Sequence, residues 1–472
     1  MSDRRIMRYH FVGIGGIGLS AIAKVLLEQG HQVSGSDLKL SPTALALAER
    51  GATVHEGHNA AHLGQADVLV ASSAVPFNNP EIIAARQRGI PVMKRGRLLG
   101  QMMAGRMSVA VAGTHGKTTT TSLIAHTLAA LGQDPTFIVG GVLGNLGTNA
   151  QAGAGPHFVI EADEYDHAFL GLCPQIAVVT YLEHDHPDCF PTIEDVEASF
   201  RQFLTQVPSD GCIIGCGDVP RVARLLQEWR ARSSRPEIWT YGLAARSDWR
   251  AVDLVVNEQG GHEFAVLQGE RAEGRFRLPI PGVHNVRNAL AAVAVAHRLG
   301  LNLQQVAGAM ATFQPTARRF ELKGIAAGVT VIDDYAHHPT EIQATLTAAR
   351  EQFPNRKLWT VFQPHTYSRT KALMDDFAAS FDDADHVIVL DIYPAREAAA
   401  DFPAITAASL TARMAHPDAQ HIGSHEEAVS YLLEKLEPGD ILLTLGAGDG
   451  YLIGECVLAR RSARHCAQGK RT

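Results

Sequence analysis

Met107-Ser108-Val109-Ala110-Val111-Ala112 runs directly into Gly113-Thr114-His115-Gly116-Lys117-Thr118-Thr119, and a helical pattern follows as far as Leu131. A short apolar run that breaks at a glycine turn and resumes as a helix predicts strand, phosphate loop and helix in that order. The spacing is shorter than a full Walker A motif, since Val111 stands where the first glycine would fall. Gly113 and Gly116 still free backbone N–H groups for phosphates, Lys117 can reach β/γ oxygens, and the Thr118 hydroxyl suits Mg²⁺.

Downstream, the same alternation continues. Strands are expected at 157–161, 176–181, 211–214 and 237–240, and a helix from Asn285 to Leu299 closes the segment. The stretch 248–278 alternates charge with Val, Leu and Phe and predicts an antiparallel, solvated insertion. Glu161 ends an apolar strand and opens the acidic run Asp163-Glu164-Tyr165-Asp166, which reads either as a Mg²⁺ ligand beside the phosphate loop or as a solvated loop. Glu183-His184-Asp185-His186 ends the next strand; it fits a metal site, with the phosphate loop favouring Mg²⁺ over zinc, or a hydrogen-bonded loop. Asn285 and Asn288 share a helix face, where they could read adenine or simply cap the helix.

A third segment opens at Arg318-Arg319-Phe320 and repeats the strand–helix alternation, with strands expected at 329–333, 358–362, 387–390 and 441–445. Two of its strand-to-helix loops, Asp333-Asp334-Tyr335-Ala336-His337-His338-Pro339-Thr340-Glu341 and Gln363-Pro364-His365-Thr366-Tyr367-Ser368-Arg369, are polar and should share one sheet edge as a ligand-facing rim. The first segment ends near Gly105, about half the length of a full dinucleotide fold, which leaves room for one nucleotide half. Gly13-Ile14-Gly15-Gly16-Ile17-Gly18 lies between its first strand and helix, and Asp37 ends the second strand, where a carboxylate could meet ribose hydroxyls.

The chain has 472 residues, 46% hydrophobic and 19% charged, so it is long enough for roughly three domains and is not disordered. A net charge of −7 and 6% aromatics argue against general nucleic-acid binding. Six scattered cysteines do not form a disulfide framework. Arg4-Arg5 and the apolar stretch from Phe11 imitate a secretory signal, but glycines 13, 15, 16 and 18 interrupt it. No uninterrupted apolar segment suggests membrane insertion, and a cytoplasmic enzyme is expected. The arginine-rich tail from Arg460 is expected to fray.

Taken in order, these motifs resemble the Mur ligase family from Gly13 to Gly450, most closely its alanine-adding branch. The resemblance implies an α/β chain of three domains: a Rossmann-like UDP-binding domain (1–105), a central P-loop ATPase-like domain with a mainly parallel sheet (106–317), and a C-terminal Rossmann-like domain (318–472). It implies ATP-dependent ligation of L-alanine to UDP-N-acetylmuramate through an acyl phosphate. The alternative within the family is the recycling ligase that attaches a murein tripeptide; the short Ala168–Pro174 stretch favours the alanine enzyme.

The resemblance also implies roles. Lys117, Glu161, His186, Arg319 and Asp334 would be catalytic, with Thr118 and Glu161 holding one Mg²⁺ and His186 at a second. Gly113, Thr114, His115, Gly116, Lys117, Thr118, Thr119, Asn285, Asn288, Arg319 and Asp334 would contact ATP. The UDP-sugar would meet Gly13, Gly15, Gly16, Ile17, Gly18, Ser36, Asp37, Ser72 and Ser73, with His115, Tyr335, His337, His365 and Arg369 nearer the growing product. Tyr181 departs from the family's usual Asn. The chain has no lysine between Lys117 and Lys323, so the carbamylated lysine of later-acting relatives has no counterpart here.

Overall fold

The strand that feeds the phosphate loop sits at the middle of the largest of three sheets. In the computed structural model, which describes residues 5–469, the first sheet contains β1 (Arg8–Val12), β2 (Gln32–Asp37), β3 (Thr53–Glu56), β4 (Val68–Ala71) and β5 (Val92–Lys94), all parallel in the order β3-β2-β1-β4-β5. The strand order reverses between β1 and β4, so the glycine loop after β1 and Ser72-Ser73 after β4 flank the switch point where such sheets bind ligands. The sheet carries strands on both sides of that point, more than the single half that its length suggested. It fits because its strands are only three to six residues long. β3 and β5 are short and half-exposed and so lack an apolar run to announce them.

The central sheet comprises β6 (Met107–Ala112), β7 (Thr136–Leu143), β8 (Thr148–Gln151), β9 (His157–Glu161), β10 (Ile176–Val179), β11 (Cys212–Cys216), β12 (Glu237–Gly242), β13 (Trp249–Val256), β14 (His262–Gln268) and β15 (Arg271–Leu278). Its order is β15-β14-β13-β12-β11-β10-β6-β9-β7-β8, parallel from β7 through β13 with antiparallel strands at both ends. The 248–278 stretch is antiparallel as expected, but it is not a solvated appendage. It continues the sheet through β12, and Trp249, Phe264, Phe276 and Leu278 are buried on its inner face. Helix Lys117–Ala130 is buried on nearly every side between this sheet and the apolar helix Val283–Arg298. That burial fixes the loop at its N-terminus.

The third sheet holds β16 (Glu321–Ala326), β17 (Val329–Asp334), β18 (Leu358–Phe362), β19 (His386–Val389), β20 (Ala419–His421) and β21 (Ile441–Leu445) in the order β16-β17-β21-β18-β19-β20. Only β16, at the edge, runs antiparallel. The C-terminal helix Tyr451–Gly469 continues past Arg460, which is paired with Glu426 at 2.9 Å, so fraying does not begin where the composition suggested. Residues 470–472 lie outside the described residues. Within them, no helix is long and apolar enough to cross a membrane. The stretch that imitates a secretory signal forms β1, the glycine turn and helix Ile17–Glu28.

Candidate active site

Gly113 adopts φ +143°, and a Cβ there would lie 2.1 Å from Thr180 Oγ1; Gly116 adopts φ +77° and would place one 2.6 Å from Asn288 Oδ1. Only glycine fits either position. Between them the loop N–H of Thr114 is held by the Tyr181 carbonyl at 3.0 Å. Lys117 folds back over the loop, donating to Gly113 O at 2.5 Å and to Glu164 Oε1 at 2.8 Å. Burial alone lowers its pKa, but the carboxylates of Glu164, Asp163 and Glu161 outweigh this and push Lys117 up to about 12. It stays an ammonium.

Thr118 Oγ1 donates to both Glu161 oxygens at 3.0 Å, and the Gly140 N–H fixes Glu161 Oε2 at 2.7 Å. His186, at φ 54° in the loop after β10, has Glu164 Oε1 at 3.9 Å and Asp185 Oδ2 at 3.6 Å. Burial lowers its pKa to about 4; Asp185 opposes this, while Arg369 and Lys117 reinforce it. The hydroxyl of Thr118 and the carboxylate of Glu161 fit a divalent cation beside phosphates, and His186, a neutral imidazole near Glu164, offers a separate ligand.

The third domain reaches this centre. Arg319 Nη2 lies 3.5 Å from Thr118 Oγ1. Asp334 accepts the backbone N–H groups of Phe320 and Ala336, both at 2.7 Å, and thereby shapes the Arg318–Phe320 turn. Burial pushes Asp334 up to about 6 against the pull of Arg319. Buried Arg369 pairs with buried Asp185 at 2.9 Å and touches His186 Nδ1 at 3.4 Å. Tyr335 is covered by the guanidiniums of Arg318 and Arg319, each 5.1 Å from its ring centroid. His337 stands edge-on to Tyr335 and 6.1 Å from His365. Burial, then the charges on His337 and Arg369, lower His365 to about 3.

A cavity of about 290 Å³ lies between the central and third domains, and its walls include His115, Thr118, Thr119, Asn285, Asn288, Arg319 and Asp334. Asn285 Nδ2 donates to Pro281 O at 2.7 Å and Asn288 Nδ2 to Asn285 Oδ1 at 3.0 Å, which leaves the Asn288 Oδ1 side toward Gly116. Tyr181 is in the same wall, 5.4 Å from the His115 ring.

The first-domain residues are gathered separately. Gly13 N–H donates to Ser36 O at 2.8 Å, and Gly15 N–H to Asp37 Oδ2 at 2.8 Å, so Asp37 braces the glycine loop itself. Ile17 is exposed and Gly18 faces Arg95. The Ser36 hydroxyl turns inward to buried Glu81 at 2.7 Å rather than outward. Ser72 Oγ accepts the Ala74 N–H, while Ser73 donates to Asp166 at 2.6 Å and Lys94 to the same carboxylate at 2.9 Å. With the Arg95–Asp163 pair, these contacts tie the first domain to the acidic loop.

The sequence did not single out Glu164 as the partner of Lys117, Asp185 as that of Arg369, or Glu341, which accepts from His115 Nδ1 at 3.0 Å. Each lay within a quoted acidic or polar motif. Which member faced inward had no signal in spacing.

Family models match successive stretches of the chain: "Mur ligase family, catalytic domain" over residues 8–107, "Mur ligase middle domain" over 111–296, and "Mur ligase, glutamate ligase domain" over 318–448. The UDP-N-acetylmuramate–L-alanine ligase of Roseiflexus castenholzii is 45% identical, covering 96% of this chain and 97% of that one. The enzyme of the same name from Geobacter sp. (strain M21) is 46% identical, covering 97% and 98%. Among solved structures, the UDP-N-acetylmuramate-alanine ligase of Thermotoga maritima is similar with a TM-score of 0.79 at 26% identity over 97% of this chain and 100% of that one. A murein peptide ligase from Psychrobacter arcticus has a TM-score of 0.71 at 27% identity, covering 97% and 99%. The chain belongs to the Mur ligase family.

Proposed function

We propose that this chain is the ATP-dependent ligase that joins L-alanine to the lactyl carboxylate of UDP-N-acetylmuramate, a cytoplasmic step of peptidoglycan precursor synthesis. The observation that carries the reading is the approach of Arg319 to Thr118, the hydrogen-bond partner of Glu161, at a cavity that Thr118, Arg319 and Asp334 line, in a chain 45% identical to an alanine ligase over nearly its whole length. The uridine nucleotide occupies the switch point of residues 1–105, ATP the loop of 106–317, and the domain of 318–472 closes over both reactants.

In the first step a lactyl carboxylate oxygen attacks the γ-phosphorus of ATP, ADP leaves, and an acyl phosphate forms. Lys117 and Arg319 neutralise the charge on the transferred phosphoryl group, acting in a buried setting where such charges count most. Thr118 and Glu161 would hold one Mg²⁺ and His186 a second, and these ions would supply further positive charge at the phosphate oxygens. The alanine amine then attacks the acyl carbon, and the tetrahedral intermediate expels phosphate. Arg369, pinned by Asp185, and His337 and His365 line the approach of the amine, and the closed third domain keeps water from the acyl phosphate.

The test is phosphate release from ATP with UDP-N-acetylmuramate and one acceptor at a time. L-alanine is expected to give turnover far above the murein tripeptide. Equal or better turnover with the tripeptide would assign the chain to the recycling reaction.

A further inference from the structure

His115 of the ATP loop, which lines the cavity, Glu183 after β10 and His338 before the helix Pro339–Gln352 bring one ligand atom each within 4.8 Å of one another. The hydrogen bonds around them fix which atoms face inward. His115 Nδ1 is taken by Glu341 Oε1 at 3.0 Å, which turns Nε2 toward Glu183. His338 Nε2 is directed at the His184 carbonyl at 3.4 Å, so its Nδ1 presents the lone pair. That lone pair serves only a long capping bond from the Thr340 N–H at 3.3 Å, yet it faces Glu183 Oε1 at 3.1 Å. Two acceptors at that distance repel unless a proton or a cation lies between them. The second Glu183 oxygen is fixed by the Thr340 hydroxyl at 3.0 Å.

We propose that His115, Glu183 and His338 bind a divalent ion of the zinc class, distinct from the Mg²⁺ sites proposed at Thr118 and Glu161 and at His186. Two imidazoles and a carboxylate suit Zn²⁺ or Co²⁺ better than Mg²⁺, which prefers oxygen donors. Ligand bonds of about 2.0–2.2 Å can be reached from atoms this close with small side-chain rotations. The outer contacts match what metal-binding histidines require: one ring is backed by a carboxylate, the other by a backbone carbonyl. His115, Thr340 and Glu341 also line the cavity, so a fourth ligand position opens into it.

The ion would join a phosphate-loop residue and Glu183 of the central domain to His338 of the third, stapling the closed arrangement and slowing its reopening. Without the ion, a proton does the same work. Burial opposes protonation of His115, but Glu341 and Glu183 override it and push the ring up to about 10, with His338 and Tyr181 packed against it.

The experiment titrates the full chain with Zn²⁺ against a chromogenic chelator, in excess Mg²⁺, with Co²⁺ absorption reporting coordination geometry. The wild-type chain should take up an equivalent of Zn²⁺ that Mg²⁺ does not displace, with a tetrahedral Co²⁺ spectrum. Affinity for it should fall at least ~tenfold in His338→Gln and in Glu183→Gln, and persist in His186→Gln. Circular dichroism of the metal-free variants confirms that they fold. Unchanged zinc affinity in His338→Gln would overturn the proposal, as would a loss confined to His186→Gln. The proposal does not depend on which acceptor the enzyme uses.

Discussion

Lys117→Ala should lower ATP-dependent turnover by on the order of 10³-fold while leaving affinity for the UDP-sugar nearly unchanged. The ammonium is the buried cation that the Gly113–Gly116 loop folds around. Its carboxylate neighbours keep it charged across the whole working pH range. The Gly13–Gly18 loop, which we propose meets the uridine nucleotide, lies on a separate sheet, braced by Ser36 O and Asp37. Steady-state kinetics and calorimetry with UDP-N-acetylmuramate separate the two effects. The variant should still fold, because burial already pushes Glu164, the partner left behind, up to about 7, so it can take a proton. A loss of UDP-sugar affinity as large as the loss of turnover would contradict this division between the two nucleotide sites.

Arg369→Ala should have the second largest effect. It strips the guanidinium that donates to Asp185 and leaves that buried carboxylate, held well below its usual range by Arg369 against the cost of burial, with the His186 backbone N–H at 2.7 Å but no paired guanidinium. Breaking such a pair from one side costs roughly 3–5 kcal/mol. For a domain of this size that corresponds to a fall in Tm on the order of 10 °C. Because the pair joins the central and third domains, turnover should fall with stability. Asp185→Asn placed on top of Arg369→Ala should restore part of the lost stability, since an amide tolerates burial better than an orphaned charge. A Tm unchanged by Arg369→Ala would mean that the inter-domain pair does not hold the two domains together.

Much of this was legible in the chain because it depends on local pattern. The apolar runs of β6, β9, β18 and β21 are found where their sequence puts them, since strands buried on both faces are apolar throughout. The turn after β6 was legible through glycines whose positive φ no other residue adopts cheaply. What stayed hidden depends on partners distant in sequence. β5 spans three residues and β20 another three, stabilised by a neighbouring strand and not by their own pattern. The Asp248–Leu278 stretch alternates like a half-solvated ribbon, and nothing local says that its inner face will be covered by the helices that follow β15. In the site, Glu161 stood apart at its strand end, but Asp163, Glu164 and Asp166 looked equivalent. Only the fold assigns Glu161 to Thr118, Asp163 to Arg95, Glu164 to Lys117 and Asp166 to Ser73. Ser36 shows the reverse error, a hydroxyl in a ligand-like motif that the fold turns inward to Glu81.

The most direct measurement follows heavy oxygen from the lactyl carboxylate. UDP-N-acetylmuramate labelled with ¹⁸O at both carboxylate oxygens is turned over with ATP and L-alanine, and phosphate and product are weighed by mass spectrometry. Formation of an acyl phosphate, attack by the alanine amine and expulsion of phosphate predict one labelled oxygen in each phosphate released and one retained in the new amide carbonyl. Phosphate free of label, or label transfer that proceeds without alanine being incorporated, would contradict the ligation described here.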